Sequence, residues 1–167
     1  INVGTPGKVR KGPATDTELL RYALLGDAKK VENLLNSGAS TQAATDSGDT
    51  ALTLAAGLGQ VDVVRALIAK GADVNARTSF NSNALMWACY NGRVAVVKTL
   101  LAAGAAVNVQ DNSSWTALMY ATENGHKPVV ELLLAKGPDE NLTSDEGDTE
   151  LNAAAEKGYP AIVKILV

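Results

Sequence analysis

The sequence predicts an all-α solenoid of stacked helix pairs, and three observations predict it. Gly26, Gly59, Gly92, Gly125 and Gly158 recur every 33 residues without a slip, and Gly38, Gly71, Gly104 and Gly137 form a second series at the same period. A fixed period of this length marks a repeat array, in which one supersecondary unit is copied along the chain. Between the glycines lie two short segments with apolar residues at i, i+3 and i+4, the spacing that lines one face of a helix. Hydrophobic residues make up 46% of the 167 residues but aromatics only 4%. The apolar content is therefore Ala, Leu and Val, which suits thin helices packed closely together.

Taken in order, residues 1–15 hold three glycines, two prolines and three basic residues and have no periodicity, which predicts an N-terminal arm or linker. The repeat domain is expected over 16–167, with repeats at about 16–45, 46–78, 79–111, 112–144 and 145–167. Thr15 and Glu18 have capping-box spacing, and Asp16 and Thr17 are alternative caps for the first helix. Its partner helix places Val31, Leu34 and Leu35 on one stripe and ends at Gly38. In the later repeats Thr50, Thr116 and Thr149 are the expected caps, with Asn83 in the same place. Leu52, Leu85, Leu118 and Leu151 are expected in the core, beside Ala55, Ala88, Ala121 and Ala154, which let neighbouring helices approach closely. Val64, Val97, Val130 and Val163 with Leu67, Leu100, Leu133 and Leu166 supply the stripe of the second helix. No single repeat buries both stripes alone, so stability is expected to be a sum of repeat terms and nearest-neighbour interfaces. The last repeat stops inside its second helix without a polar outer face, and the chain starts at Ile1 rather than Met, so a longer native chain is expected.

Composition excludes several classes of function. A net charge of −3 argues against a protein built on phosphate neutralisation, so no nucleic acid is expected as partner. No apolar run approaches the roughly 18 residues of a membrane span, so no membrane partner is expected either. A lone Cys89 cannot form an internal disulfide, so the chain needs no oxidising compartment and a cytoplasmic home is expected. The chain is also expected to be a monomer.

The residues that carry the pattern resemble the ankyrin repeat over residues 16–167. GADVNA at 71–76, TALMYA at 116–121 and the Gly125-His126 pair are close to that family's signature, and the copies are in phase. The resemblance implies β-hairpin fingers projecting from the helix pairs and a concave groove lined by fingertips and first helices. This chain departs from the pattern in its TALT, NALM, TALM and TELN segments, which lack the helix-opening proline and the networked histidine. Repeat four also reads GPDEN at the turn, with Glu140 at a place normally apolar. Leu67, Asp73, Val74 and Asn75 further resemble the ankyrin substrates of asparaginyl hydroxylase, whereas Asn108 lacks the acid and has Ala106 instead.

Catalytic readings fail against the repeat. Asp46-Ser47-Gly48 resembles an aspartic-protease triplet, but it falls at a fingertip and no second triplet completes a dyad. His126 is the only histidine, so neither a two-histidine metal site nor a serine triad can be assembled. Cys89 occupies a small core position without a base. Asp145-Glu146-Gly147-Asp148 lacks the spaced ligands of a calcium loop, and Gly57-Leu58-Gly59 lacks the third glycine of a dinucleotide loop. No enzyme activity, catalytic residue, metal site or cofactor is expected.

Function is therefore expected at the positions the repeat leaves variable. Of seven aromatics, Phe80, Trp87, Tyr90, Trp115 and Tyr120 lie in repeats three and four. Trp87 and Tyr120 are open to a second reading as packing between repeats, which does not extend to Phe80 and Trp115. The candidate partner-binding residues are Phe80, Trp115 and Tyr90, ringed by Asp49, Asp111, Asn112, Glu123, Asp145 and Asp148. Lys29, Lys30, Arg65, Lys98 and Lys164 fall on second helices, so the groove should be more negative than the back. The expectation is a protein-interaction scaffold or adaptor for a protein or peptide with basic and apolar residues. The alternative is a targeting or regulatory domain of a larger enzyme or effector.

Overall fold

The computed structural model describes residues 14–167. The arm expected over 1–15 lies outside the described residues except for Ala14 and Thr15, which already belong to the first helix. The helices come in pairs: α1 (Ala14–Leu25) with α2 (Ala28–Asn36), α3 (Ala51–Leu58) with α4 (Val61–Ala69), α5 (Ala84–Tyr90) with α6 (Val94–Ala102), α7 (Ala117–Glu123) with α8 (Lys127–Leu134), and α9 (Glu150–Glu156) with α10 (Pro160–Leu166). First helices stack in the order α1, α3, α5, α7, α9, and second helices in the order α2, α4, α6, α8, α10. Contacts thus run to the partner helix and to the next repeat, as in a linear array.

Local chemistry sets the helix starts. Thr50, Asn83, Thr116 and Thr149 each accept a hydrogen bond from the backbone N–H three residues on, at 3.3, 3.0, 3.2 and 3.3 Å. Such caps contribute about 1 kcal/mol each by satisfying an orphan donor of the first turn. Asn83 does so imperfectly, because its buried Nδ2 finds no partner among the described residues. The first helix departs from expectation. It begins at Ala14, so Thr15, Asp16 and Thr17 sit inside its first turn, and the Asp16 carboxylate instead accepts from the Ser40 N–H at 2.8 Å, tying α1 to the loop beyond α2.

The core is the expected double stripe. Leu52, Leu85 and Leu118 are buried with Ala55, Ala88 and Ala121, and Val64, Val97 and Val130 with Leu67, Leu100 and Leu133. Each full burial of such a side chain is worth about 1.5–3 kcal/mol. In α2, Val31 is buried but Leu34 and Leu35 only half so. Leu151 corrects the sequence reading: it is 40% exposed, and Val163 and Leu166 are only half-buried. The same side chain that a following repeat covers in repeats two to four meets no further repeat among the described residues in the fifth. Ala154, Tyr159, Val163 and Val167 there line an open apolar recess of about 550 Å³. Glu150 stands where the other repeats have Ala51, Ala84 and Ala117, and it is only 4% exposed. Burial raises its carboxyl above the ordinary value, and hydrogen bonds from its own backbone N–H and from Thr116 offset this only in part.

The fingers also differ from expectation. Among the described residues there is no strand, only an isolated bridge between Ala44 and Thr50. Each finger is a tight turn closed by two backbone bonds: Thr45 N–H to Asp49 O, Thr78 to Ser82, Asp111 to Trp115 and Ser144 to Asp148, and within them Gly48 N–H to Thr45 O, Asn81 to Thr78, Ser114 to Asp111 and Gly147 to Ser144, all at 2.9–3.0 Å. Other bonds run from finger to finger: the N–H groups of Ser79, Asn112 and Asp145 donate to the carbonyls of Ser47, Phe80 and Ser113. The backbone is satisfied partly across each turn and partly along the stack, so no longer ladder of paired strands is required. Asn75 and Asn108 join in, their Oδ1 atoms accepting from Ala106 and Asp139 N–H, each at 2.8 Å.

A second tie lies at the turns between paired helices. Gln60, Arg93, His126 and Tyr159 open the second helices without capping them, and their side chains lie over the turn glycine of the preceding repeat. His126 Nε2 is 3.0 Å from the Tyr90 carbonyl, and Arg93 donates from Nε to the Gly57 carbonyl at 3.2 Å. Gly92 has φ +65°, and a Cβ there would sit 2.6 Å from His126 Nδ1. Glycine is thus favoured at position 92 twice, by backbone conformation and by the neighbour's side chain.

Candidate functional site

The aromatic residues of repeats three and four converge through one polar residue of the fourth finger. Asp111 Oδ1 accepts from the N–H groups of Ser113 and Trp115, at 2.9 and 3.0 Å, which holds the turn. Its other oxygen, Oδ2, accepts a short hydrogen bond from the Tyr120 hydroxyl on α7. Burial first, then the Asp111 carboxylate, pushes the Tyr120 phenol well above its ordinary range, so it stays a donor. With the turn and ring both fixed, Trp115 lies against Tyr120 with centroids 5.0 Å apart and planes tilted by 36°. Tyr90, at the end of α5, meets Tyr120 edge to face at 5.9 Å and 78°. Pairs of this geometry contribute about 0.5–1.5 kcal/mol beyond area burial.

These rings form part of a recess of about 280 Å³ on the side of the first helices and fingers, lined by Tyr90, Ser113, Trp115, Tyr120, Glu123 and Asn124. Asn124 is oriented by donating from Nδ2 to the Tyr120 carbonyl at 2.9 Å. Glu123 is the one ionisable carboxylate of the lining, and the Lys157 ammonium of the next repeat reaches its Oε1 at 2.7 Å. That contact raises the Lys157 ammonium above its ordinary value. The recess offers a partner aromatic faces, a carboxylate at the edge and a pre-formed shape.

Of the candidate residues, Tyr90, Trp115 and Glu123 come together here, with Asp111 behind them. Phe80 does not line the recess. It is 53% exposed on the third finger, next to the rim, since its carbonyl accepts from Asn112 N–H at 3.0 Å and Ser113 is its own counterpart one repeat on. Asn112 and Asp145 belong to the same finger line: the Asn112 amide donates to Ser79 O at 3.3 Å, and Asp145 accepts from Ser114 Oγ at 2.5 Å. Asp49 and Asp148 occupy the position of Trp115 in repeats two and five, where each accepts from a hydroxyl, Thr45 or Ser144. Asp49 is half-buried, and burial raises its carboxyl. Lys157 is the residue whose part the sequence reading missed, and Tyr120, left open there between binding and packing, takes its place in the recess. The signal was the departure of repeat four from its siblings, with Asp in place of Thr or Ser at 111 and Trp in place of Asp or Ser at 115.

Trp87, the counterpart of Tyr120, takes the packing role: it lies over Gly57 of α3, and its Nε1 donates to Ser82 Oγ at 3.2 Å. Cys89 is fully buried, and burial raises its thiol, so it is a core residue. The described residues include no group of three or more His, Cys, Asp or Glu arranged to hold a metal ion, and no helix long and apolar enough to cross a membrane. Charge is sorted by face. The second helices carry Lys29, Lys30, Arg65, Lys98, Lys127 and Lys164 against Glu32, Asp62 and Glu131, whereas α3, α5, α7 and α9 carry Glu123, Glu150 and Glu156 and no cation.

The family model for ankyrin repeats, three copies in length, matches residues 19–111 and again 85–167. No curated protein matches the chain. Ankyrin repeats are in general protein–protein interaction modules. With its helix pairs in phase and the two matches together spanning nearly all of the described residues, the chain belongs to the ankyrin repeat family.

Proposed function

We propose that this chain is a binding scaffold that holds a segment of a protein partner along the groove of first helices and fingers, with Trp115 as its central anchor. The observation that carries this reading is the aromatic recess of Tyr90, Trp115 and Tyr120, set in place by Asp111 before any partner arrives. Anchors of this kind concentrate binding energy, and truncating one costs about 2 kcal/mol or more. Phe80, exposed beside the rim, extends the apolar contact along the fingers. The first helices of repeats two to five, which carry no cation, and the acidic fifth finger, Asp145-Glu146-Gly147-Asp148, favour a partner whose apolar residues are flanked by Lys or Arg and speed its encounter at low salt.

The test is a pull-down with the wild-type chain, followed by titration of the partner it captures. Trp115→Ala and Phe80→Ala should each weaken binding by about tenfold or more, while Lys98→Ala on α6 should leave it unchanged. Damage from Lys98→Ala with none from Trp115→Ala would move the working surface to the second helices.

A further inference from the structure

We infer that the recess takes the guanidinium of an arginine from the bound segment, and that Lys157 holds the Glu123 carboxylate until that arginine displaces it. The inference rests on the groove reading above and names the side chain that the recess selects. Three features of the lining point to this cation. The rings lean on one another, Trp115 on Tyr120 at 5.0 Å, so they form a shelf rather than a cage with a gap between walls. A shelf suits a planar group that stacks on one face, and guanidinium does so while being more weakly hydrated than an ammonium. Behind the shelf, the Asp111 carboxylate sits on the Tyr120 hydroxyl and adds negative charge to the aromatic face.

The acceptor at the edge favours the same group. Lys157 approaches one oxygen of Glu123, Oε1, at 2.7 Å. A guanidinium presents two parallel N–H donors to both oxygens of a carboxylate, which a lysine ammonium cannot match in geometry. Both partners of the resident pair have solvent access, with side chains 47% and 30% exposed. A pair of this kind is weakly held. Lys157 therefore acts as a built-in competitor: it neutralises Glu123 in the empty groove and swings into solvent when a better cation arrives. The rest of the lining adds no other charge, since Ser113 and Asn124 are neutral. The discrimination thus comes down to Glu123 and the rings.

The probes are N-acetyl-arginine methylamide, its neutral isostere N-acetyl-citrulline methylamide, and N-acetyl-dimethyl-lysine methylamide. Each is titrated against the labelled chain while the indole N–H of Trp115 is followed by NMR. The arginine probe should bind about fivefold more tightly than citrulline, and Glu123→Gln should erase that difference. Lys157→Ala should tighten arginine binding about threefold and leave citrulline unchanged. Citrulline binding as well as arginine, dimethyl-lysine binding more tightly than arginine, or a Lys157→Ala variant no tighter than wild type would each overturn the inference. If the captured partner still depends on Trp115 while the probes fail to discriminate, only the arginine inference falls. If the partner ignores Trp115, the groove reading itself falls.

Discussion

Leu100→Ala gives the most direct test of how this chain is held together. Leu100 lies in α6 of the middle repeat, fully buried, and α6 packs on α5 and on the second helices of both neighbours, α4 and α8. Truncating a buried leucine removes its transfer free energy and leaves a cavity, about 3 kcal/mol within a range of 2–5. In a compact single core that loss would be shared by every residue whose exchange requires global opening. In a linear stack it is felt fully in repeat three, partly across its two interfaces and least at the far repeats. At about 1.4 kcal/mol per decade, amide exchange of α5 and α6 should accelerate by roughly a hundredfold. Amides of α4 and α8 should accelerate less, and those of α2 and α10 least of all. The assay is native-state hydrogen exchange read as the ratio of variant to wild type at each amide. An equal ratio from α2 through α10 would show one cooperative unit and refute the nearest-neighbour account.

Two further substitutions probe single features. Glu150→Gln should stabilise the chain at neutral pH, because burial raises the Glu150 carboxyl and the folded state keeps its proton longer than the unfolded state. Wild-type stability therefore falls as pH rises through that raised value, and denaturant melts should show the gain of the variant shrinking toward pH 4; a gain independent of pH would remove ionisation as its cause. Gly92→Ala should destabilise by about 1–2 kcal/mol, since the residue sits at φ +65° and the new Cβ would meet His126. A double-mutant cycle with His126→Ala separates the two causes: coupling of about zero would mean that the backbone alone carries the penalty and that the ring has room to move.

The helix pairs were legible because their determinants are local. Period, capping residue and the i, i+3, i+4 stripe all lie within one repeat, and Thr50, Asn83, Thr116 and Thr149 cap as their spacing implies. What was not legible depends on contacts between repeats. The fingers form no strands because bonds such as Asn112 N–H to Phe80 O run to the next copy, which a reading of one hairpin does not contain. Leu151 reads as its siblings do, and only its place in the stack exposes it. The candidate site was half legible. Trp115 and Tyr90 stood out as aromatics at variable positions, but Asp111 and Asp145 look like free charges in sequence and prove to be hydrogen-bonded within the fingers.

The fourth finger shows how a repeat acquires a recognition feature without disturbing the scaffold. Every finger needs an acceptor at its first position for nearby backbone N–H groups. Thr45 Oγ1 takes Asp49 N–H at 3.1 Å, Thr78 Oγ1 takes Phe80 N–H at 3.3 Å, and Ser144 Oγ takes Asp148 N–H at 3.1 Å. A hydroxyl brings one oxygen to this task, and in the second and fifth fingers, at Thr45 and Ser144, its proton goes to the aspartate at the last position. The acid there is a partner of the hydroxyl, so the last position is not free. Placing the carboxylate first, as Asp111, changes both ends at once. One oxygen does the work of the hydroxyl, and the second is left to accept from Tyr120. The last position no longer has a hydroxyl to answer and can carry Trp115. Two changes, a carboxylate for the hydroxyl at the first position and an indole at the last, thus keep the backbone bonds of the turn and build the ring stack. The same step explains why the recess forms in repeat four, where the third finger, with Thr78 and Ser82 bonded to each other at 2.7 Å, has a hydroxyl at each end and no carboxylate to orient a ring.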